Sequence, residues 1–261
     1  MLAPEKFAEW MSRHEHRDPN YGYVYNYHPR SDAHSIALCK FILDDLLAAC
    51  QVLREQAKRG EVVYGINLPF TWSSTGKSKT LDLAIGPPVP RPHLISPDEP
   101  IVMANQLAKV LFSCEAKSVM TEHSKSRPRV YDELSSSHEI VHQGSQEAIA
   151  AGITVVNIAQ TFISPLRQRV AESPYISQHN QPQAATSMVQ HLRGLPIRNN
   201  LGEVGFDAYA TFVVDCDNRS PAHLWTDPPA PQPDDKDHYE TFLRRISEFY
   251  TERFSIIHGV E

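Results

Sequence analysis

The sequence predicts an α/β protein with a mixed central β-sheet flanked by helices. Apolar residues recur with helical spacing in some segments and fall into short, β-branched or alternating runs in others. In the middle of the chain these segments follow one another as helix, three strands, helix and strand, which is a mixed α/β layout. The 261-residue chain has 41% hydrophobic and 21% charged residues, so it can bury a core of its own.

Each predicted element has a local signal in the sequence. An N-terminal helix over about residues 4–14 would place Phe7, Trp10 and Met11 on one face. A longer helix over about residues 33–58 has Asp32 as its N-cap and Gly60 as its stop. The remaining predictions, in chain order, are strands at 62–68, 80–85 and 109–117, a helix at 128–151 closed by Gly152, strands at 153–159 and 209–214, and an amphipathic helix at about 237–257.

Composition limits the setting and the class of protein. No apolar run approaches the ~18 residues of a membrane helix, and the first residues are charged where a signal peptide would be apolar. The cysteines lack the spacing of a zinc knuckle or a redox motif, which favours a reducing, cytoplasmic setting. A formal net charge of −6 argues against coating nucleic acid through bulk charge, but it leaves room for a local basic groove. Two proline-rich stretches, 86–100 and 228–233, are predicted to be rigid surface loops.

The first candidate chemistry is a pair of acids with a lysine. Glu115 and Lys117 lie two residues apart on a predicted strand, so their side chains leave the same face. Asp82 lies on another strand, predicted to be a sheet neighbour. Two converging carboxylates form a hard oxygen site for Mg²⁺, which binds phosphate and lowers the pKa of an attacking water. A second acid-x-lysine match at 234–236 falls in a proline-rich loop, whereas Glu115 interrupts an apolar strand. The alternative is that Glu115 and Lys117 are edge-strand charges that deter aggregation.

The second candidate is the pattern His138-Glu139-Ile140-Val141-His142. Two histidines one helical turn apart, with a glutamate as base, match the zinc-peptidase pattern. A third ligand would have to come from Glu172 or another distant acid. The alternative is a polar helix face that carries two histidines.

The third candidate is Gly76-Lys77-Ser78, which resembles the end of a phosphate-binding loop. Thr71 stands where that loop needs its first glycine, and a strand rather than a helix follows. The segment is therefore predicted to be a basic hairpin tip carrying Lys77 and Lys79.

The arrangement of elements and acids resembles the PD-(D/E)XK nuclease superfamily, whose fold is restriction-endonuclease-like. The matching pieces are the helix at 33–58, the strands with Asp82 and with Glu115 and Lys117, the following helix and the strand at 153–159. The resemblance implies that Asp82, Glu115 and Lys117 are catalytic, and that Asp82 and Glu115 bind Mg²⁺, with Mn²⁺ as a substitute. It also implies one nuclease domain over 1–261, with a core at about 33–165 and a C-terminal extension at 166–261. The sequence departs from the family pattern in having Leu81 instead of proline before Asp82.

The family often has a further acid on its first helix, and the resemblance leaves three residues open for that role: Asp44, Asp45 and Glu55.

Basic residues downstream of the acid pair are predicted to contact DNA. Cationic, imidazole and hydroxyl side chains bind phosphate oxygens and fix the register on a duplex. A Gln- and Asn-rich stretch at 180–200 is the candidate for reading base edges. Arg167 and Arg169 could line the same groove. The predicted DNA-binding residues are Lys77, His123, Lys125, Arg127, Arg129, Arg193 and Arg198.

Together these observations predict a Mg²⁺-dependent, sequence-specific DNA endonuclease of the restriction type, encoded by a bacterium or a phage. Its partners would be double-stranded DNA, a second copy of the chain, and a companion DNA methyltransferase. A homodimer matches the two-fold symmetry of a palindromic site. The terminal helix and the Tyr-rich segment 21–27 could form its interface or could be ordinary core. The alternatives are an inactive DNA-binding protein of the same fold and a zinc metallopeptidase that uses His138, Glu139 and His142.

Overall fold

The computed structural model describes residues 1–18, 22–89, 100–167 and 174–256. Within these ranges the helices are α1 (Ala3–Arg13), α2 (Ala33–Ala49), α3 (Gln51–Lys58), α4 (His123–Gly144), α5 (Gln183–Leu192) and α6 (Tyr239–Phe254). The strands are β1 (His16–Arg17), β2 (Val24–Tyr25), β3 (Val63–Thr71), β4 (Ser78–Gly86), β5 (Phe112–Val119), β6 (Ile149–Asn157), β7 (Thr161–Ser164), β8 (Tyr175–Gln178), β9 (Ala208–Asp215) and β10 (His223–Trp225). Some residues considered above lie outside the described ranges: Tyr21, Arg169, Glu172, Ile257 and most of the first proline-rich stretch.

A six-stranded mixed sheet forms the centre of the molecule, with the strand order β10-β9-β6-β5-β4-β3. β3, β4 and β5 form an antiparallel meander, β6 and β9 continue it in parallel, and β10 pairs antiparallel with β9 at the edge. The predicted α/β class is therefore confirmed, and the predicted order of helix, three strands, helix and strand is observed from α2 to β6. β1–β2 and β7–β8 are separate two-stranded ribbons.

Helices cover both faces of the sheet. On one face α1, α2, α3 and α6 pack in a core with inward residues of β4, β5, β6 and β9, and this face is called the α2 side below. On the other face α4 and α5 pack in a second core, which is called the α4 side. β6 is buried along its whole length, as expected for a strand between two parallel neighbours and two helical layers.

Three predicted boundaries are wrong. The helix at 33–58 is interrupted at Cys50, whose backbone is extended (φ −105°, ψ 104°). α4 begins at His123, not at 128, because Pro128 lies inside the helix instead of opening it. Ile149 to Gly152 belong to β6 and not to a helix. The alanines there have high helix propensity, but burial between β5 and β9 overrides that preference.

The last third of the chain is built into the same sheet. β9 and β10 extend it, and α6 packs its apolar face into the α2-side core. The buried faces of α6 and of Tyr25 and Tyr27 therefore belong to the protein interior and not to a free surface. Within the described ranges, no helix combines the length and the apolar character that a membrane span needs.

Candidate active site

Asp82 and Glu115 face each other on neighbouring strands. β4 pairs with β5 so that Leu83 lies opposite Cys114, and the next pair in that register is Asp82 and Glu115. Oδ2 of Asp82 accepts a hydrogen bond of 2.8 Å from the backbone amide of Ala116. The sheet therefore brings the two predicted acids together at one point.

Glu115 and Lys117 leave the same face of β5, as their spacing predicts. Lys117 Nζ lies 2.7 Å from Glu115 Oε1, and it also lies 3.3 Å from Oε2 of Glu133 on α4. The Glu115 side chain is only 6% exposed. A buried carboxylate needs partners, and this one has them on both oxygens.

The second oxygen of Glu115 has two partners that the sequence did not predict. Lys79 Nζ lies 3.1 Å from Oε2, and the Ser137 hydroxyl donates to the same oxygen at 3.1 Å. Lys79 was predicted only as part of a basic hairpin tip. Ser137 belongs to a run of three serines in α4, and it is the buried one of the three.

A backbone kink explains how Lys79 reaches Glu115. Asn67 on β3 has φ +49°, and the register of the β3–β4 pair puts it opposite Asp82. At this point β4 changes faces, because Leu83 packs on the α2 side whereas Leu81 packs on the α4 side. Simple alternation would put Lys79 and Asp82 on opposite faces. The kink brings both to Glu115, and asparagine is among the few residues that tolerate this backbone conformation.

The electrostatics of the pair are asymmetric. Burial, followed by the charge of Glu115, raises the pKa of Asp82 to about 6. Burial also opposes ionisation of Glu115, but the ammonium groups of Lys117 and Lys79 outweigh it and lower the pKa of Glu115. Burial likewise opposes the charge of Lys117, and Glu115 outweighs that effect and raises the pKa of Lys117. At neutral pH Glu115 is therefore the firmly charged acid, and Asp82 is the one that takes up a proton more readily.

Asp82 and Lys117 line a cleft of about 490 Å³, whereas the buried Glu115 side chain is not part of its lining. α2 contributes His34, whose ring lies 4.4 Å from that of Tyr27 and whose pKa burial lowers to about 4. The imidazole is therefore neutral at pH 7. Other residues around the cleft come from β4, β5, α4 and β7 with its following turn, and they include Asp82, Lys117, Arg129, Glu133, Phe162 and Arg167.

None of the three first-helix acids lines this cleft. Asp45 is buried elsewhere, where it accepts from Lys6 Nζ and from the Tyr239 hydroxyl, each at 3.0 Å. Asp44 is exposed, and Glu55 lies on α3. A further acid that contacts the site is Glu133 of α4, the helix after the meander, which pairs with Lys117.

Asp82 and Glu115 are carboxylates, the type of ligand that Mg²⁺ binds in proteins. Among the described residues, no group of three or more His, Cys, Asp or Glu side chains is arranged to hold a metal. Mg²⁺ does not require such a group, because it keeps several waters and binds through one or two carboxylates plus substrate phosphates. Asp82 and Glu115 would be those carboxylates, although Lys79 and Lys117 occupy the oxygens of Glu115 in this conformation.

The predicted DNA-contact residues divide into two groups. Lys77, Lys125 and Arg129 are exposed on the surface. Arg127 donates to Ser187, and Arg193 forms ion pairs with two acids of the 234–237 loop. The three exposed cations also have partners, since Lys77 donates to Gln143, Lys125 pairs with Glu122 and Arg129 pairs with Glu133. Every cation of both groups would therefore have to exchange its partner for a phosphate.

Two members of that set are buried. His123 is buried, and its Nε2 lies 2.7 Å from the carbonyl oxygen of Asn157. Arg198 is 0% exposed, and its Nε lies 2.9 Å from Oδ1 of Asp207, which Arg253 also contacts at 2.8 Å. Arg198 lies wholly in the interior, so the prediction that it contacts DNA is wrong. His123 is buried but lines a polar pocket at the start of α4, so its contact with DNA stays a prediction.

The two histidines of the zinc-peptidase pattern also lie in the interior. Nε2 of His142 lies 3.1 Å from Oδ2 of Asp207, and His138 is buried beside it. Glu139 is exposed on the other side of α4. Glu172, the third ligand considered above, lies outside the described residues. Among the residues that the structure describes, no group of three or more His, Cys, Asp or Glu side chains is arranged to hold a metal at these histidines.

Gly76 and Lys77 lie in the turn between β3 and β4, as the hairpin prediction requires. Lys77 donates to Gln143 at the end of α4. The segment leads into a strand and lacks the helix N-terminus of a phosphate loop.

Comparison with protein-family models, with curated proteins and with solved structures found no match for this chain. The candidate function therefore rests on the site itself.

Proposed function

We propose that this protein is a Mg²⁺-dependent DNA endonuclease that resembles the restriction-type enzymes of the PD-(D/E)XK superfamily. One observation carries the proposal: Asp82 stands opposite Glu115 in the β4–β5 register, with Lys117 two residues further along the same face. The order of elements from α2 to β6 supports a restriction-endonuclease-like core.

The side chains have distinct roles in this proposal. Asp82 and Glu115 hold Mg²⁺, which would polarise the scissile phosphate and lower the pKa of the attacking water, and Mn²⁺ would substitute for it. Lys117 orients that water and offsets charge that develops on the phosphate. Lys79 and Ser137 hold the Glu115 carboxylate in place. Exposed Lys125 and Arg129 would receive neighbouring phosphates.

The proposed partners are double-stranded DNA and a second copy of the chain, since a dimer suits a palindromic site. A companion methyltransferase would protect the host genome. The proposed setting is the cytoplasm of a bacterium, with a bacterial or phage gene as its source.

The test is cleavage of plasmid and phage DNA by the purified protein with Mg²⁺, beside EDTA and the Glu115→Gln variant. Asp234→Asn serves as a matched control, because residues 234–236 carry the same acid-x-lysine pattern in an exposed loop. Discrete fragments with the wild type and with Asp234→Asn, but not with EDTA or Glu115→Gln, are expected.

Other outcomes point to the alternatives. A smear of fragments would indicate a non-specific or repair nuclease, and cleavage of RNA alone would change the substrate. DNA that is bound but stays intact would favour an inactive binding protein. Stoichiometric zinc with peptidase activity, lost in His138→Ala, would contradict the proposal.

A further inference from the structure

A second polar pocket adjoins the cleft at the start of α4. It encloses about 320 Å³ and shares Thr121, Glu122 and Arg167 with the cleft, so the two are continuous. Nearly all of its other lining side chains are polar or charged, and they include Ser124, Lys125, Tyr175, Ser177, Gln178, His179 and Asn180. This group of residues is called the α4 pocket below.

The α4 pocket contains the N-terminus of a 22-residue helix. The amides of Lys125 and Ser126 both donate to the carbonyl oxygen of Glu122, which closes the first turn. No side chain caps this helix end. In the first turn of a helix, backbone amides without an intrahelical partner point out of the helix end. They carry the positive end of the helix dipole, so they favour an anion.

A buried hydroxyl in the same pocket lacks a partner. Ser177 is 7% exposed, and its Oγ has no hydrogen-bond partner among the described residues. Ser177 lies on β8, opposite Phe162 of β7, and it lines the α4 pocket. Buried hydroxyls nearly always have partners, so an oxygen from water or from a bound ligand is expected beside this one.

Two cations flank the pocket, and an internal carboxylate holds both of them. Glu122 Oε1 lies 3.1 Å from Lys125 Nζ and is also paired with Arg167. Arg167 in addition lies over the ring of Tyr175, 5.5 Å from its centroid. Helix amides, a guanidinium, an ammonium and a hydroxyl together form the donor set that phosphate oxygens require.

We propose that the α4 pocket binds a backbone phosphate of the same nucleic-acid strand that occupies the cleft, and that this phosphate displaces Glu122 from Arg167 and Lys125. The inference rests on the proposed function and deepens it, because it assigns a second phosphate contact next to the scissile one. Glu122 then acts as an internal competitor, which keeps the two cations in place while no strand is bound and weakens attraction to DNA in general.

The experiment measures binding of a fluorescent duplex in EDTA, where no cleavage occurs, as a function of salt concentration. Arg167→Gln should lower the slope of log affinity against log salt by about one, the value for one phosphate contact. Ser177→Ala removes a neutral donor, so it should weaken binding by roughly threefold to tenfold with an unchanged slope. Glu122→Gln should tighten binding by a similar factor.

Glu9→Gln is the matched control for charge. Glu9 is a partly exposed glutamate on α1 that pairs with Arg13, so the substitution changes net charge equally but at a distance from the pocket. If Glu122→Gln gains no more affinity than Glu9→Gln, or if Ser177→Ala binds as the wild type does, the α4 pocket does not bind a strand phosphate. If inorganic phosphate competes with the duplex but the variants do not change DNA binding, the pocket is a free-phosphate site. That outcome would also overturn the proposal.

These outcomes are separable from the failure of the nuclease proposal. A wild-type protein that neither binds nor cleaves nucleic acid would overturn both proposals. Site-specific cleavage with unchanged binding by all three pocket variants would overturn only the second phosphate contact.

Discussion

Nζ of Lys79 lies 3.1 Å from Oε2 of Glu115, on the carboxylate whose other oxygen is 2.7 Å from Nζ of Lys117. The two ammonium groups explain why the paired acids shift in opposite directions: they lower the pKa of Glu115, whereas burial and the charge of Glu115 raise that of Asp82. In this conformation lysines occupy the oxygens that a divalent cation would use. Lys79 is thus a competitor for the cation as well as a support for Glu115.

Lys79→Met should lower the Mg²⁺ concentration that gives half-maximal cleavage. The substitution removes a positive charge next to the ion and frees Oε2 of Glu115 from its ammonium partner. A gain on the order of 1 kcal/mol in the free energy of Mg²⁺ binding would lower that concentration about fivefold. Calorimetric titration of Mg²⁺ in the absence of DNA provides a readout independent of cleavage. A higher Mg²⁺ requirement would mean that Lys79 mainly positions the carboxylate.

Lys117→Met should abolish most of the cleavage and leave DNA binding intact. A side chain that moves or holds a proton in the transition state contributes about 10²-fold to 10⁴-fold to the rate. Lys236→Met, in the exposed acid-x-lysine match, is the control and should cut like the wild type. Single-turnover rates and duplex affinity in EDTA separate the two effects. An equal loss of affinity and rate would make Lys117 a phosphate-binding residue only.

Asp207→Asn should strongly destabilise the fold. Asp207 is fully buried, and its carboxylate faces Arg198, Arg253 and His142 at distances between 2.8 and 3.1 Å. Removing one partner of a buried ion network leaves a buried charge uncompensated and costs about 3–5 kcal/mol. Urea denaturation measures the loss. Glu248→Gln, which breaks an exposed pair with Arg244, should cost less than about 1 kcal/mol. Similar costs for the two variants would contradict a structural role for the Asp207 network.

The sequence predicted the parts of the site that depend on local spacing. Glu115 and Lys117 share a face because they lie two residues apart on one strand, and the hydrophobic pattern around Asp82 was enough to put it on a strand. The meander then pairs these strands, so the acids meet. Local periodicity determines the strands and the faces of their side chains, while the pairing of β4 with β5 is a long-range contact.

The remaining features depend on distant contacts. Arg198 lies in a polar stretch of sequence, which predicts a surface cation. Only the fold shows that it pairs with Asp207 in the interior. Simple strand alternation puts Lys79 on the wrong face, because the kink at Asn67 reverses the alternation. The α4 pocket combines a helix end with Ser177 from a ribbon that no local pattern predicted.

The stability of the protein should fall as the pH drops below neutrality, and His138 should contribute to that fall. Burial lowers the pKa of His138 from its ordinary value of 6.5 to about 4, and its Nε2 has no hydrogen-bond partner among the described residues. The unfolded chain therefore binds a proton at this position between those two values while the folded chain does not. Because the unfolded state binds more protons there, the free energy of unfolding falls as the pH falls from 6.5 towards 4.

His138→Leu should flatten this dependence. The ring of His138 packs against that of Phe206, with centroids 4.9 Å apart, so an apolar side chain suits the site. Urea midpoints at about pH 7 and about pH 5 should differ less in the variant than in the wild type. His34 and His123, whose pKa values are also lowered to about 4, contribute to the remaining difference, and Asp82, whose pKa is raised to about 6, opposes it. His223→Gln, at an exposed position, should keep the wild-type difference. If His138→Leu also shows the wild-type difference between the two urea midpoints, His138 is protonated in the folded state. The interior around Asp207 would then admit more water than the packing indicates.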